Sequence, residues 1–124
     1  MKIIKTEVSY KDKRGEIRDI LTHIPVEAIT YITFAKEAVR GNHYHKKSIQ
    51  YLYILSGSLM AYGQKEKGKI ESKRVKVSNL VFHEANERHA FRALEPAEVL
   101  SFNFGPRRGF DYEKDTYRLD KKLI

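Results

Sequence analysis

One stretch decides the fold of this chain and carries most of its candidate chemistry: Arg40-Gly-Asn-His-Tyr-His-Lys-Lys-Ser-Ile-Gln50-Tyr-Leu-Tyr-Ile-Leu-Ser-Gly57. His43 and His45 are one residue apart, so on a β-strand their side chains point to the same face, about 6.6–6.8 Å apart along the strand. Two imidazoles placed in this way can converge on one ion. Gln50 opens an apolar run that ends at Ser56-Gly57, which is typical of a second strand returning beside the first.

Short strand-like segments separated by turn residues fill most of the remaining chain. Gly57 allows a turn after the quoted stretch, and Lys65-Glu-Lys-Gly-Lys69 is typical of a charged hairpin tip. No long amphipathic helical pattern competes, so the spacing of the segments predicts an all-β sandwich or barrel. The predicted strands are Lys2–Tyr10, Ala28–Ala35, Val39–His45, Gln50–Leu55, Ser58–Gln64, Ile70–Val77, Asn79–His83, Arg88–Leu94 and Ala97–Phe104.

The composition bounds the class of protein. A chain of 124 residues, 41% apolar and 32% charged, is expected to form one globular domain over residues 1–124. The absence of cysteine excludes disulfides and thiolate metal sites. The first residues lack the apolar core of a signal peptide, and the uncharged run Ser48–Gln64 is shorter than the roughly 20 apolar residues of a membrane span. We therefore expect a cytoplasmic protein with no membrane partner.

The net charge of +8 has two interpretations. One is a basic, solvated surface, and the other is a site for anions such as phosphorylated sugars or nucleotide-sugars. Nucleic acid is not an expected partner, because the lysines and arginines are scattered and no helix-turn-helix, zinc knuckle or basic arm is present. We expect a small-molecule, anionic ligand.

The quoted stretch resembles the first motif of the cupin superfamily. That motif consists of a glycine, a His-x-His pair, a glutamate a few residues later and a second glycine. The corresponding positions here hold Gly41, His43, His45, Gln50 and Gly57. The chain departs from the motif at Gln50, which replaces the glutamate.

The second cupin motif is weaker in this chain. Its histidine is kept in register as His89, whereas its small turn residues are mostly replaced. The resemblance covers residues 29–104 and implies a double-stranded β-helix, the jelly-roll barrel of small cupins. The second motif falls on Ser78, Asn79, Glu84, Asn86 and His89.

The resemblance also implies a metal site with His43, His45, Gln50 and His89 as ligands. Zinc, iron, nickel, copper or manganese would suit these nitrogen and oxygen donors. Because three imidazoles and an amide are neutral, the +2 of a divalent cofactor would be uncompensated and would attract an anion. The alternative is a barrel in which these are ordinary polar residues and the metal site has been lost.

The segment Arg40–His45 is similar to that of cupins in sugar-nucleotide pathways. These include metal-containing epimerase-type domains and dTDP-4-keto-6-deoxyhexose ketoisomerases, which use a His-x-His pair for proton transfer without metal. The similarity implies that Arg40 meets phosphates and that His43 or His45 acts as acid or base when no metal is bound. Strand alternation, however, places Arg40 opposite His43 unless Gly41 bends the chain. His89 is not part of the ketoisomerase pattern, and its presence favours a metal site.

Two further residues are candidates for substrate binding. Tyr62 can stack on a sugar or a base if it faces inward, and otherwise belongs to the core or an interface. His83 shares a face with Asn79 and Val81 and either lines the cavity or ends its strand as a polar residue.

Three functions remain open at this stage. The first is an epimerase or isomerase acting on a nucleotide-sugar or a related anionic carbohydrate, in which a base removes a proton next to a ketone. The second is a metal-dependent oxygenase, and the third is a non-enzymatic module that binds a small ligand. We also expect a homodimer, and we expect residues 105–124 to form a lid over the barrel or an interface tail.

Overall fold

Twelve strands form the described part of the fold. The structure is a computed structural model, and it describes residues 1–105 and 114–124. No helix among those residues is long and apolar enough to cross a membrane. The strands are β1 (Lys2–Lys5), β2 (Val8–Asp12), β3 (Gly15–Arg18), β4 (Ala28–Phe34), β5 (Val39–Tyr44), β6 (Ile49–Ser56), β7 (Ser58–Gln64), β8 (Glu71–Lys76), β9 (Asn79–His83), β10 (Arg88–Ala93), β11 (Ala97–Phe104) and β12 (Tyr117–Arg118).

The strands form two five-stranded antiparallel sheets that pack face to face. The first sheet has the order β1-β9-β6-β11-β4 and the second has the order β12-β5-β10-β7-β8, while β2 and β3 pair as a separate hairpin. Most neighbours within a sheet are distant in sequence, which is the connectivity of a jelly roll. The all-β, double-stranded β-helix prediction is therefore confirmed.

The core lies between the two sheets because alternate residues of each strand point inward. In the first sheet, Leu52 stands opposite Val81 on β9, and Ile54 stands opposite Val99 on β11. Most members of the core are less than 5% exposed, so the alternation in the sequence matches burial. The core contains Phe34, Leu52, Ile54, Leu59, Ala61, Val75, Val81, Phe91, Ala93, Ala97 and Val99.

The outer face of the first sheet is also apolar, and it ranges from buried residues, Tyr53 and Leu80, to strongly exposed ones. The registers place aromatic and aliphatic residues beside one another across four strands, and Ile29 and Tyr31 are 64% and 55% exposed. We call this surface the apolar face. It consists of Ile29, Tyr31, Tyr51, Tyr53, Leu80, Phe82, Leu100 and Phe102.

The predicted first strand, Lys2–Tyr10, is wrong as a single element. It divides into β1, which pairs with β9, and β2, which pairs with β3 in the hairpin. The break lies at Thr6, whose backbone N–H and hydroxyl donate to the carbonyl of Ser78, while its own carbonyl accepts from Arg18. These contacts turn the chain out of the first sheet. The sequence pattern gave no sign of them because Arg18 and Ser78 are distant in the chain.

The described part of the C-terminal segment forms an additional strand. Tyr117 pairs with Tyr44, and Arg118 pairs with His43, which makes β12 the edge strand beside β5. The expected lid or interface tail falls partly on residues 106–113, which lie outside the described residues. Within residues 114–124, the segment lies against the strand that carries the His-x-His pair.

Candidate functional site

A cavity of about 490 Å³ opens between the two sheets at the end where β5 and β12 lie. Its wall combines apolar side chains from the core with histidine, glutamine and arginine side chains. Such a mixture of apolar wall and few convergent polar groups is typical of small-molecule sites. The lining residues are Ile32, Phe34, Val39, Arg40, Gly41, His43, Gln50, Leu52, His89, Phe91, Thr116 and Arg118.

Three histidines converge beside this cavity. One ring nitrogen from each of His43, His45 and His89 lies within 4.8 Å of the other two. The ring of His43 is 4.9 Å from that of His45 and 4.7 Å from that of His89, measured between ring centres. The structure thus brings together three of the four residues expected to bind a metal, and their role as ligands stays a prediction.

A β-bulge in β5 brings Arg40 to the same face as His43. His43 stands opposite His89 on β10, but Arg40 stands opposite Phe91, so one extra residue lies between the two pairs. Asn42 (φ +58°) and Gly41 (φ +96°) take up the extra residue. Strict alternation would have placed Arg40 on the other face, and the bend at Gly41, which was the alternative, is the one observed.

Arg40 lies at the rim of the cavity. Its side chain is exposed, its guanidinium carbon is 5.4 Å from the centre of the Phe34 ring, and one of its nitrogens donates to the carbonyl of Thr33 at 3.2 Å. A guanidinium fixed by one contact on an aromatic face keeps several N–H donors for an anion. Arg40 therefore fits the predicted role of meeting phosphate groups.

Backbone carbonyls set the orientation of two of the histidines. Nδ1 of His45 lies 2.9 Å from the carbonyl oxygen of Asp115, and Nδ1 of His89 lies 3.1 Å from that of Glu87. Because a carbonyl oxygen can only accept, Nδ1 carries a proton in both rings, and in the neutral form of each ring the lone pair is then on Nε2. Nε2 of His89 is buried and has no partner among the described residues.

Gln50 lies on the wall of the cavity, and only the nitrogen of its side-chain amide makes a hydrogen bond among the described residues. Its Nε2 donates to the hydroxyl of Ser101 at 2.9 Å, and Asn103 donates to the same hydroxyl at 3.1 Å. Its Oε1 is buried and has no hydrogen-bond partner among the described residues. A buried, unpaired amide oxygen costs free energy unless a ligand, ion or water meets it.

Burial keeps the deeper histidines neutral. It lowers the pKa of His83 to about 3, with the positive charge of the Met1 ammonium as the next cause. It also lowers the pKa of His89 well below its usual value, and the neighbouring imidazoles act in the same direction. These rings are therefore uncharged at neutral pH, and His89 presents the lone pair of its Nε2 to the site.

Two predicted substrate-binding residues do not line the cavity. Tyr62 stands opposite Ala90 and so points to the outer face of the second sheet, away from His89. His83 is buried beneath the site and stacks on His89, with 4.6 Å between ring centres. His83 shares the inward face of β9 with Val81, and it is not among the residues that line the cavity. His45 also lies behind the lining residues.

Residues of the C-terminal segment complete the site, and the sequence analysis missed them. Asp115 is buried and its carboxylate accepts the backbone N–H groups of Lys46, Lys47 and Ser48 at 2.8–3.1 Å. Partial burial works to raise the pKa of Asp115, but the three N–H groups outweigh it and lower the pKa. Thr116 and Arg118 line the cavity. The available signal was an aspartate directly before Thr116 and Tyr117, two residue types that favour strands.

The arrangement suits proton transfer on a bound anion. Neutral imidazoles can accept protons, and the arginines at the wall supply positive charge. The same imidazole lone pairs, with the Gln50 oxygen, also form a donor set for a metal ion. Geometry alone thus supports two kinds of chemistry at one place.

Comparison with known proteins supports the fold. The sequence matches no protein family model and no curated protein. A double mutant of a 3,4-ketoisomerase from Thermoanaerobacterium thermosaccharolyticum, solved in complex with TDP, has a TM-score of 0.77 and 25% identity, covering 95% of this chain and 86% of that chain. A 3,4-ketoisomerase from Helicobacter canadensis has a TM-score of 0.79 and 23% identity, and the match covers 95% of this chain and 90% of that chain.

An epimerase has the same architecture. The dTDP-4-dehydrorhamnose 3,5-epimerase from Sulfolobus tokodaii has a TM-score of 0.76 and 21% identity, covering 92% of this chain and 73% of that chain. These similar structures are cupin-type sugar-nucleotide enzymes, and this chain has their double-stranded β-helix fold.

Proposed function

We propose that this chain is an isomerase or epimerase that moves a proton next to the ketone of a nucleotide-linked sugar. The observation that carries the proposal is the position of His43, which lines a cavity with Arg40 at its rim and His89 beside it. The similar structures include both 3,4-ketoisomerases and 3,5-epimerases, whose names describe this type of reaction.

His43 is the proposed base. A neutral imidazole takes the proton from the carbon next to the carbonyl, the electron pair moves onto the carbonyl oxygen, and an enolate forms. In an epimerisation, a proton is then added to the same carbon from the opposite face. In a ketoisomerisation, the hydroxyl on that carbon gives its proton to the former carbonyl oxygen and becomes the new carbonyl, while a proton is added to the former carbonyl carbon. His45 lies behind His43, 4.9 Å away between ring centres, and is the second imidazole of the proposed pair.

Positive charge at the cavity wall fits an anionic substrate. Arg40 and Arg118 both lie in the lining, and the chain as a whole carries a net charge of +8. A guanidinium binds phosphate oxygens through two parallel N–H donors, and positive charge also stabilises the enolate oxygen. The proposed ligand is therefore a nucleoside diphosphate sugar, with its diphosphate at the rim and its sugar at the histidines.

Deuterium exchange tests this function directly. The protein is incubated in D₂O with a dTDP-4-keto-6-deoxyhexose, and the sugar protons are followed by NMR. Loss of the proton signal at C3 is expected with either reaction; transfer of the carbonyl to C3 indicates a ketoisomerase, and exchange at C5 indicates an epimerase. A sugar that binds, as measured by calorimetry, but exchanges no proton would overturn the proposal.

Metal binding is the second candidate function, and the residues present fit a metal ion. Ring nitrogens of His43, His45 and His89 approach within 4.8 Å, and bonds of about 2.0–2.1 Å to zinc need them to close to about 3.3 Å. Nδ1–H groups held by backbone carbonyls are typical of metal-bound histidines. Gln50 would add its unpaired oxygen. When bound, a divalent ion would supply Lewis-acid chemistry at the substrate carbonyl.

Elemental analysis of the purified protein distinguishes the candidates. A stoichiometric content of zinc, iron, nickel or manganese, reduced by His89→Ala, would support the metal site. Iron together with substrate-dependent oxygen consumption would favour the oxygenase. A ligand that raises the melting temperature without any turnover would favour the non-enzymatic binding module.

We also propose that the chain assembles as a homodimer through the apolar face. That face carries exposed Ile29 and Tyr31 on an edge strand, beside Leu100 and Phe102. A second copy covers such a surface with the same residues across a two-fold axis. The cytoplasmic location and the lack of a nucleic-acid partner stay predictions of the sequence.

A further inference from the structure

Asp115 connects the C-terminal segment to the turn that follows the His-x-His pair. Its Oδ1 accepts the N–H of Lys46 at 3.1 Å, and its Oδ2 accepts those of Lys47 and Ser48 at 2.9 and 2.8 Å. The residue is 5% exposed. Three charge-assisted hydrogen bonds to consecutive backbone groups hold this turn in one conformation.

The backbone of the same residue contacts His45. The carbonyl oxygen of Asp115 lies 2.9 Å from Nδ1 of His45, and both groups are buried. A carbonyl oxygen cannot donate, so this contact requires the proton on Nδ1 and the lone pair on Nε2. The carboxylate therefore fixes the position of a carbonyl that selects one tautomer of a site histidine.

The segment after Asp115 is fixed by further contacts and forms part of the cavity wall. The Tyr117 ring stacks on Tyr44 with 5.3 Å between ring centres, and the ammonium of Lys46 lies 4.2 Å from the Tyr117 ring centre. Thr116 and Arg118 line the cavity. A displacement of Asp115 would thus move both the tautomer contact and two lining residues.

We infer that Asp115 is a positioning residue that holds His45 in its Nδ1–H tautomer and ties residues 114–118 into the wall of the site. It acts through its backbone carbonyl on His45, and its carboxylate keeps that carbonyl in place. The effect on turnover rests on the proton-transfer function proposed above. The tautomer itself is a property of the free protein and is measured without any substrate.

Histidine ring ¹⁵N NMR tests the inference. Long-range ¹H–¹⁵N spectra report which ring nitrogen carries the proton, and a His45→Gln variant identifies the His45 signals among those of the five histidines. We expect the Nδ1–H form in the unmodified protein. In Asp115→Ala we expect a shift toward the Nε2–H form and, with substrate, a kcat about ten-fold lower with little change in KM.

Two further variants separate positioning from general damage. Asp115→Asn keeps one carbonyl oxygen for the turn, so its tautomer shift and kcat are expected to lie between those of Asp115→Ala and the unmodified protein. Asp120→Ala removes an exposed carboxylate from the same segment and is expected to leave both unchanged. The inference is overturned if His45 is in the Nε2–H form before any substitution, or if it keeps the Nδ1–H form in folded Asp115→Ala.

Discussion

His43 and His45 occupy equivalent places in the sequence pattern but different places in the site. Both point inward, yet His43 is half-buried and lines the cavity, whereas His45 is buried behind it against Asp115. Period-two alternation predicts the face of a side chain and not its depth. In the proposed reaction, His43 is therefore the residue placed to contact a substrate, and His45 lies behind it.

Substitution of His43 tests this assignment. We expect His43→Asn to lower kcat by about 10²–10⁴-fold because the general base is lost. The affinity for TDP is expected to change little, since the proposed position of the diphosphate is the rim near Arg40. Activity comes from the deuterium-exchange assay and affinity from calorimetry. The control is Tyr62→Phe on the outer face of the second sheet, which is expected to change neither quantity; an equal loss there would contradict the site geometry.

Substitution of Gln50 tests whether its side-chain oxygen is a metal ligand. Replacing the amide by a carboxylate in Gln50→Glu is expected to tighten a divalent ion by about ten-fold, or roughly 1.4 kcal/mol, because it adds the missing negative charge. The hydroxyl of Ser101, which now accepts from Gln50, can turn and donate to the carboxylate. The same charge should weaken binding of TDP.

Metal titration by calorimetry, with melts of the metal-free proteins, provides the measurement for Gln50→Glu. Opposite effects on metal and TDP separate an electrostatic cause from steric disturbance, which would weaken both. A lower melting temperature without tighter metal binding would mean that the carboxylate is an unpaired buried charge, and Gln50 would leave the ligand set.

His83 makes stability depend on pH. Its pKa falls from the usual value near 6.5 to about 3 on folding, so between these values the unfolded chain binds a proton that the folded protein does not. Above pH 6.5 His83 does not reduce the free energy of unfolding. As the pH falls from 6.5 toward 3, the free energy of unfolding decreases by about 1.4 kcal/mol per pH unit. We expect His83→Phe, which keeps an aromatic ring against His89, to reduce the slope by that amount. Urea unfolding from pH 4 to 7 measures it, and an unchanged slope would contradict the assignment.

At the scale of elements, the sequence predicted the strand boundaries that depend on residues close together in the chain. Strands β7, β9 and β11 begin and end where the alternation and the turn residues placed them. The bulge in β5 was not predictable, because an extra residue is visible only against the register of β10. The pairing of β12 with β5 was missed for the same reason. Both features depend on contacts between distant parts of the chain, and both shape the site.

Gly41 shows how the bulge depends on one residue. Its φ is +96°, and a Cβ placed on it would lie 2.8 Å from the backbone oxygen of His89. Gly41→Ala is expected to destabilise the fold by more than about 3 kcal/mol, since backbone strain of 1–3 kcal/mol adds to a clash with backbone. The control is Gly15→Ala, which has the strain at φ +135° but nothing within 4 Å of its Cβ. Urea unfolding of both variants measures the difference; equal losses would mean that the close approach of β10 contributes nothing.

At the scale of the whole molecule, the two sheets present opposite kinds of outer surface. The apolar face of the first sheet carries aromatic and aliphatic residues across four strands. The outer face of the second sheet carries cations on β8 and β10, with Arg74 and Arg92 both opposite Met60. Beside the apolar face lie Lys2, opposite Phe82, and Glu98, which is hydrogen-bonded to Tyr31; these two residues carry opposite charges. Pairing two copies through the apolar face brings little like charge together, whereas pairing through the basic face would be repelled.

Light scattering tests whether two copies pair through the apolar face, and Ile29→Glu is the decisive variant. The unmodified protein is expected to have twice the 14.5 kDa mass of one chain at micromolar concentration. Ile29→Glu inserts a carboxylate into the apolar face, at a side chain that is 64% exposed in the single chain. A buried isoleucine contributes about 1.5–3 kcal/mol, and a two-fold axis counts it twice, so the dimer is expected to weaken by at least about 10²-fold.

The matched control for Ile29→Glu is Ile70→Glu, the same change at a side chain that is 50% exposed and lies just before β8, away from the apolar face. It is expected to leave the dimer intact. A monomeric Ile29→Glu beside a dimeric Ile70→Glu assigns the interface to the apolar face, because both variants replace an exposed isoleucine by the same charged residue. If both variants are dimers, the interface lies elsewhere on the molecule. If the unmodified protein is a monomer, the dimer proposal is wrong and the apolar face is exposed to water, so the protein should aggregate as its concentration rises.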